Sequence, residues 1–366
     1  MEVIQAITYL GFAFTITVLA IMWLLPLARR YGWVDHPNGG RKDHAEPTPM
    51  IGGIAVYVGL VVTTLIFIGD QVVPRSYVLS ATLLVVVGAL DDRFDLNWRV
   101  RILAQITAAL ILTEIGGVRA DHLGPVFGLP DVEFGWLSLP ISVIGIVGLI
   151  NALNMIDGVD GLLGSLVLAS LLMFIAAGVY AGGPVVVWRS FMVLGAICGF
   201  LLYNLRYRGN PRARLFMGNA GSMLLGFTIA HIAFRLTQNH AHPVTPVLAT
   251  YLVAVPVIDC LVLLARRLRQ GRSPFNADRD HVHHLLLDAG FSVNQTVAVL
   301  VLVSLLIGGG AAGWLLLGVP FEKGLLLLGY FGLLVGWYAF TCDRARAVAR
   351  LSRLHRWLTA KFIPGP

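Results

Sequence analysis

Residues 151–164 read NALNMIDGVDGLLG, between the apolar runs LPISVIGIVGLI (139–150) and SLVLASLLMFIAAGVYAGG (165–183). Each flank is oily enough for a bilayer, yet Asn151, Asn154, Asp157 and Asp160 recur every third residue where the hydrocarbon pattern should resume. Four such groups without partners would be costly in lipid. Steps of three on an α-helix advance about 300°, so adjacent members such as Asn154 and Asp157 stay close while Asn151 and Asp160 diverge. Gly158 and Gly161 loosen the backbone there, letting the helix open and the carboxylates turn toward a ligand. Carboxylates and amide carbonyls are hard oxygen donors of the kind Mg²⁺ or Mn²⁺ takes.

The composition supports a membrane setting. Of 366 residues, 57% are hydrophobic and 13% charged, against about a quarter charged in soluble domains. Counting stretches near 20 residues, the length that crosses roughly 30 Å of hydrocarbon, gives eleven candidate spans: 4–27, 51–69, 76–92, 99–116, 137–156, 160–181, 184–205, 219–236, 246–267, 295–319 and 324–341. Alternate connections then hold 22 of the 27 Lys and Arg residues. Positive-inside bias places those connections in the cytoplasm, with the N-terminus outside and the C-terminus inside. The first span has no small-residue cleavage site and is expected to stay as a helix. The expectation is an all-α polytopic membrane protein of about eleven transmembrane helices. Residues 1–341 form the membrane domain, and 342–366 a basic amphipathic tail on the inner leaflet. Cys198, Cys260 and Cys342 are scattered and support neither a zinc knuckle nor a disulfide framework. The absence of an obvious internal repeat disfavours an inverted-repeat transporter. The net charge of +7 reads as topology and contact with anionic headgroups; no folded soluble module displays the basic residues to nucleic acid.

On this topology the dense polar clusters all fall on the cytoplasmic side. DDRFD (91–95) ends the third span, and residues four apart on a helix share a face, so Asp91 and Asp95 are expected as neighbours. RLFMGNAGSMLLG (214–226) places small residues and Asn219 at a helix start, where free amides suit phosphate oxygens. RRLRQGRSPFNADRDHVHHLLLDAGFS (266–292) carries His281, His283 and His284 among five arginines, including Arg279. Three histidines suggest zinc, but the arginines repel a cation and attract a diphosphate. The loop VDHPNGGRKDHAEPTPMIGGI (34–54) adds Asp35 and Lys42. His231 and Asp259 stand alone within spans and read as buried groups paired to a neighbouring helix. The outward RADHLGPVFGLPDVEFGW (119–136) reads as a small β-hairpin with no chemistry assigned.

DDRFD, NALNMIDGVDGL, FMGNAGS and SPFNADRDHVHHLLLDAGF, in this order, resemble the cytoplasmic motifs of the polyprenyl-phosphate N-acetylhexosamine-1-phosphate transferases, above all those acting with UDP-N-acetylglucosamine. The resemblance runs from DHPNGGRK through the histidine motif. It implies that UDP-N-acetylglucosamine and a polyprenyl (undecaprenyl) phosphate give the lipid-linked diphospho-sugar and UMP, with Mg²⁺ or alternatively Mn²⁺. It further implies the first membrane step of a cell-envelope glycan in the bacterial inner membrane and, by analogy, a homodimer. It assigns Asp91 or Asp92 as the base and Asp157 with Asp160 as nucleotide-proximal acids. Asn154 and position 219 match the metal ligands. Asp35, Lys42, Asn151, Arg279, His281, His283 and His284 are candidate substrate contacts, and Arg101 stands where relatives carry a basic residue. The chain departs at Asn219, where the family motif reads Gly-Asp; one neutral oxygen replaces a carboxylate, which implies weaker metal binding and reduced or abolished turnover. Enzymes using UDP-N-acetylmuramoyl-pentapeptide carry three consecutive histidines, from which HVHH departs. An anion transporter would instead place its charges near the bilayer midplane, and a silent scaffold is the reading that Asn219 keeps open.

Overall fold

The computed structural model of the chain describes residues 2–35, 47–68, 72–129, 131–240, 242–273, 279–318 and 320–362. The chain runs through α1 (Glu2–Arg30), a two-residue antiparallel ribbon of β1 (Val34–Asp35) and β2 (Thr48–Pro49), α2 (Gly52–Phe67), α3 (Val72–Phe94) and α4 (Trp98–Leu110). α4 widens into one π turn over Ile111–Ile115. Then follow α5 (Ser138–Ile156), α6 (Leu162–Tyr180), α7 (Pro184–Asn204), α8 (Gly218–Thr237), α9 (Pro246–Leu252), α10 (Ala254–Arg269), α11 (Val282–Asp288), α12 (Val293–Leu316), α13 (Glu322–Thr341) and α14 (Arg344–Phe362).

Every expected span falls on a helix, but the count of eleven is not reproduced by length and composition. Among the described residues, seven helices are long and apolar enough to cross a membrane, eight if the bent pair α9 and α10 forms one span. α2 is apolar but has only 16 residues, whereas α3 and α4 carry Arg75, Asp91, Asp92, Arg93, Arg99 and Arg101. The protein is therefore a helical, multi-pass membrane protein. The outer segment expected as a small hairpin pairs antiparallel across a loop without forming a named strand among the described residues. Leu123 donates to the Val132 carbonyl and Phe134 to that of Asp121, with a single bridge between His122 and Glu133.

α8 is the central post, with 89% of its apolar window buried, and α2, α3 and α5 pack against it. Small residues permit this approach. A Cβ at Gly88 of α3 would lie 2.5 Å from the Ala220 Cα, and one at Gly226 of α8 would lie 2.4 Å from the Ile150 Cα of α5. Such contacts bring the polar ends of α3 and α5 against the start of α8, since lipid gives helices little other reason to associate than close packing.

The 86° bend between α9 and α10 follows from Pro256. Proline has no N–H to donate four residues back and its ring crowds that carbonyl; the Ser170 hydroxyl of α6 instead donates to the Leu252 oxygen at 2.7 Å. His231 is paired across helices as expected, with Arg189 Nη1 of α7 2.7 Å from its Nε2.

Candidate functional site

Three helix ends meet where α3 stops, α5 stops and α8 starts. α5 closes at Ile156, Asp157 takes a non-helical conformation, and Gly161 at φ 78° lets the chain re-enter as α6. Gly218, at φ 71°, opens α8; a Cβ there would lie 2.4 Å from Asp92 Oδ2. Only glycine suits both the left-handed backbone and the adjacent carboxylate.

Asp92 Oδ1 accepts from the Asn219 amide at 2.7 Å and Oδ2 from that of Ala220 at 3.3 Å. The free amides at this helix start, expected to await a phosphate, are thus already held by Asp92. A carboxylate belongs there because unsatisfied N–H groups and the helix dipole both favour negative charge. Asp91 is buried and paired: Arg101 Nη1 donates to its Oδ2 at 2.9 Å, and Asn219 Nδ2 to the same oxygen at 2.7 Å. Its Oδ1 is buried with no hydrogen-bond partner. Asp95 is no helical neighbour of Asp91. Its backbone turns left-handed at φ 50° and its N–H closes the helix on the Asp91 carbonyl.

Asn154 Nδ2 donates to Asn219 Oδ1 at 2.7 Å and to Ser222 Oγ at 2.8 Å. A chain of polar contacts therefore runs from Arg101 through Asp91, Asn219 and Asn154 to Ser222. Asn151 is held by Gln105 Oε1 at 2.6 Å and by its own helix. Burial, reinforced by the charges of Asp92 and Asp160, pushes the Asp157 carboxyl up to about 7. Asp160 accepts from Arg206 Nε at 2.7 Å.

The histidine motif arrives from the other side. Asp259 of α10 receives His281 Nδ1 at 2.8 Å, the Val282 amide at 3.2 Å and Trp337 Nε1 of α13 at 3.3 Å. His281 is the N-cap of α11: its own backbone is extended, and its carbonyl accepts from the His284 amide at 3.0 Å. His283 lies over the α5 terminus: a Cβ at Gly158 would be 2.5 Å from its Nε2. Burial, then the neighbouring His284 and His281, holds His283 well below the usual imidazole range. Burial and Arg279 bring His284 down to about 4. Both rings are neutral at pH 7. Both nitrogens of His283 and Nδ1 of His284 are buried without hydrogen-bond partners, which is costly unless a ligand supplies them.

One cavity of about 1830 Å³ is lined by Asp35, Asp91, Asp92, Arg101, Asn151, Asn154, Asp157, Asp160, Asn219, Arg279, His281, His283 and His284. These are all the expected site residues except Lys42, which lies outside the described residues. Arg206, Asp259 and Gln105 were not singled out as site residues from sequence, and of these only Asp259 carried a signal, as an acid alone in an apolar run; Ser222 lies within the RLFMGNAGSMLLG stretch read as suited to phosphate. The cavity continues as an apolar channel between α5, α8 and the bent pair α9 and α10, past Ile144, Phe234, Val257, Leu261 and Leu264. The polar end suits phosphate and a divalent ion and the apolar channel suits a hydrocarbon chain; beyond the channel the cavity extends to Thr237, Gln238 and His122 at the far end of α8.

The glycosyl transferase family 4 model matches residues 75–237. The chain is 40% identical over 301 residues to the undecaprenyl-phosphate alpha-N-acetylglucosaminyl 1-phosphate transferase of Haemophilus influenzae, covering 81% of this chain and 82% of the relative. It is 35% identical over 364 residues to the protein of that name from Escherichia coli K12, with 98% and 97% covered. For the Yersinia pestis protein of that name the identity is 36% over 357 residues, with 96% and 95% covered.

Proposed function

The chain belongs to glycosyl transferase family 4, among the undecaprenyl-phosphate alpha-N-acetylglucosaminyl 1-phosphate transferases, and from that membership we propose that it moves N-acetylglucosamine 1-phosphate from UDP-N-acetylglucosamine to undecaprenyl phosphate, releasing UMP. It is a phosphoglycosyl transferase held in a membrane. The observation that carries the substrate reading is the two-ended cavity: four motifs far apart in the chain line its polar end, and an apolar channel leads away from them. The lipid phosphate sits at the polar end and its chain follows Ile144, Val257, Leu261 and Leu264.

A lipid phosphate oxygen attacks the β-phosphorus of the nucleotide sugar. A new P–O bond forms while the bond to the oxygen bridging the two phosphates breaks, and that oxygen leaves on UMP. A phosphate monoester has a second pKa of about 6, so the nucleophile is mostly dianionic at neutral pH and positioning dominates. Asp92, fixed by two α8 amides, takes the residual proton. The neutral His283 and His284 act as hydrogen-bonding groups to the diphosphate and sugar, His281 is oriented by Asp259, and Arg279, Lys42 and Arg101 supply positive charge.

The donor set fits a hard divalent cation. Asp91 Oδ1 is a buried acceptor without a partner, and among the described residues no donor takes Asn154 Oδ1. Asn154 and Asn219, with Asp91 and Asp157 beside them, would hold Mg²⁺ or Mn²⁺; the bound ion would neutralise charge on the diphosphate. The site faces the cytoplasm, where the nucleotide sugar is found, consistent with 22 of the 27 Lys and Arg residues on that side. The test is a panel of radiolabelled UDP-sugars with undecaprenyl phosphate and each cation. Cation-dependent transfer from UDP-N-acetylglucosamine is expected; transfer from none of the UDP-N-acetylhexosamines overturns the proposal.

A further inference from the structure

α8 carries Asn219 at its first turn and Thr237 at its last, a separation of roughly 30 Å along a 20-residue helix. At the far end, a second cluster of ionisable side chains plays no part in the proposed transfer. His122 Nδ1 lies 3.3 Å from Asp131 Oδ1, and His240 Nδ1 lies 3.4 Å from Asp131 Oδ2. The two imidazole rings are stacked 4.2 Å apart at 18°. One ligand atom from each of the three residues falls within 4.8 Å of the others. The outer loop was read from sequence as a small hairpin with no chemistry; one of the cluster's three residues, His240, follows α8 far along the chain.

His122 makes this more than a surface coincidence. Its side chain is 6% exposed, and apart from the Nδ1 contact with Asp131 its buried ring nitrogens have no hydrogen-bond partner among the described residues. A buried imidazole so weakly satisfied calls for a further partner. Its surroundings are fixed in advance. Gln238 Oε1 accepts from the Asp121 and His122 amides at 2.8 and 3.0 Å, and Gln238 Nε2 donates to the His122 carbonyl at 3.1 Å. On the other side, His242 Nδ1 sits 2.8 Å from the Leu236 carbonyl and braces the turn that carries His240. Two imidazoles and one carboxylate form a borderline nitrogen and oxygen set that suits zinc and its neighbours in the transition series and not magnesium. Three protein ligands leave one tetrahedral position for water.

We propose that His122, Asp131 and His240 bind one zinc-class divalent ion, tying the 120–134 loop to the turn after α8 at the end of the bundle remote from Asn219. The full-length protein, purified in detergent and stripped with a chelator, is titrated with Zn²⁺ and separately with Mg²⁺ by calorimetry. Co²⁺ absorption reports tetrahedral nitrogen and oxygen coordination. His240→Ala removes a ring that is 66% exposed, and Asp131→Asn neutralises a carboxylate that is 33% exposed, so neither threatens folding. Each should weaken Zn²⁺ binding at least ~10-fold and abolish the thermal shift that Zn²⁺ gives the parent protein, whereas His284→Gln should leave both unchanged. The site is refuted if no saturable Zn²⁺ binding occurs, if both His240→Ala and Asp131→Asn bind as the parent does, or if His284→Gln is the variant that loses the ion.

Discussion

Asn219 shows how one atom type redirects a site. Its Nδ2 donates to Asp91 Oδ2 at 2.7 Å, a contact that a carboxylate cannot make. Asn219→Asp would set two like charges against each other in a buried place while adding a ligand oxygen. It should therefore lower the thermal stability of the cation-free protein and yet raise metal-dependent activity, with Mg²⁺ restoring the stability; unfolding with and without Mg²⁺ reads both effects. Asp92→Asn should reduce turnover about 10²-fold or more and leave UMP affinity within a few-fold, as turnover assays and calorimetry would register. Asp157, raised to about 7 by burial and its acidic neighbours, gives a pH signature. A carboxyl raised above its unfolded value contributes stability below the unfolded pKa and loses that contribution as pH rises through about 7. The cation-free protein should lose stability as pH rises from about 4 to about 7 and level off above that, and Mg²⁺ should bind more tightly over the same interval. Asp157→Asn should flatten both trends.

The helices are informative where they stop. α14, expected as a basic amphipathic tail on the inner leaflet, reaches the histidine loop with its first residue. Arg344 donates to Asp280 Oδ1 at 3.0 Å and also contacts the Arg279 carbonyl and Asp288. Ser352 donates to the Ala289 carbonyl at 3.2 Å. Arg344→Ala should raise the KM for UDP-N-acetylglucosamine several-fold with a smaller change in kcat, since it loosens the loop proposed to bind the nucleotide sugar. Equal KM values would detach the tail from the site. The bend at Pro256 has a comparable dependence on a remote element: Ser170→Ala leaves the Leu252 carbonyl without its donor and should cost about 1 kcal/mol in unfolding measurements in mixed micelles.

Across the bundle, proposed orientation and site agree on one side of the membrane. Cys342 is the exposed cysteine of the three and follows α13. With a cytoplasmic C-terminus, a membrane-impermeant maleimide should label Cys342 in inverted vesicles and leave it unlabelled in intact spheroplasts. The opposite pattern reverses the topology. Composition, spacing and apolar run length determined the class of fold, the positions of the helices and the four polar motifs, because hydrocarbon thickness and backbone hydrogen bonding act on short contiguous stretches that can be read in one dimension. Which helix is central, how Asp92 caps α8, how Asp259 orients His281 and how His122 meets His240 are pairings between residues far apart in the chain. They depend on close contacts such as Gly88 against Ala220 and on the break at Pro256, and only the packed molecule brings those groups within reach of one another.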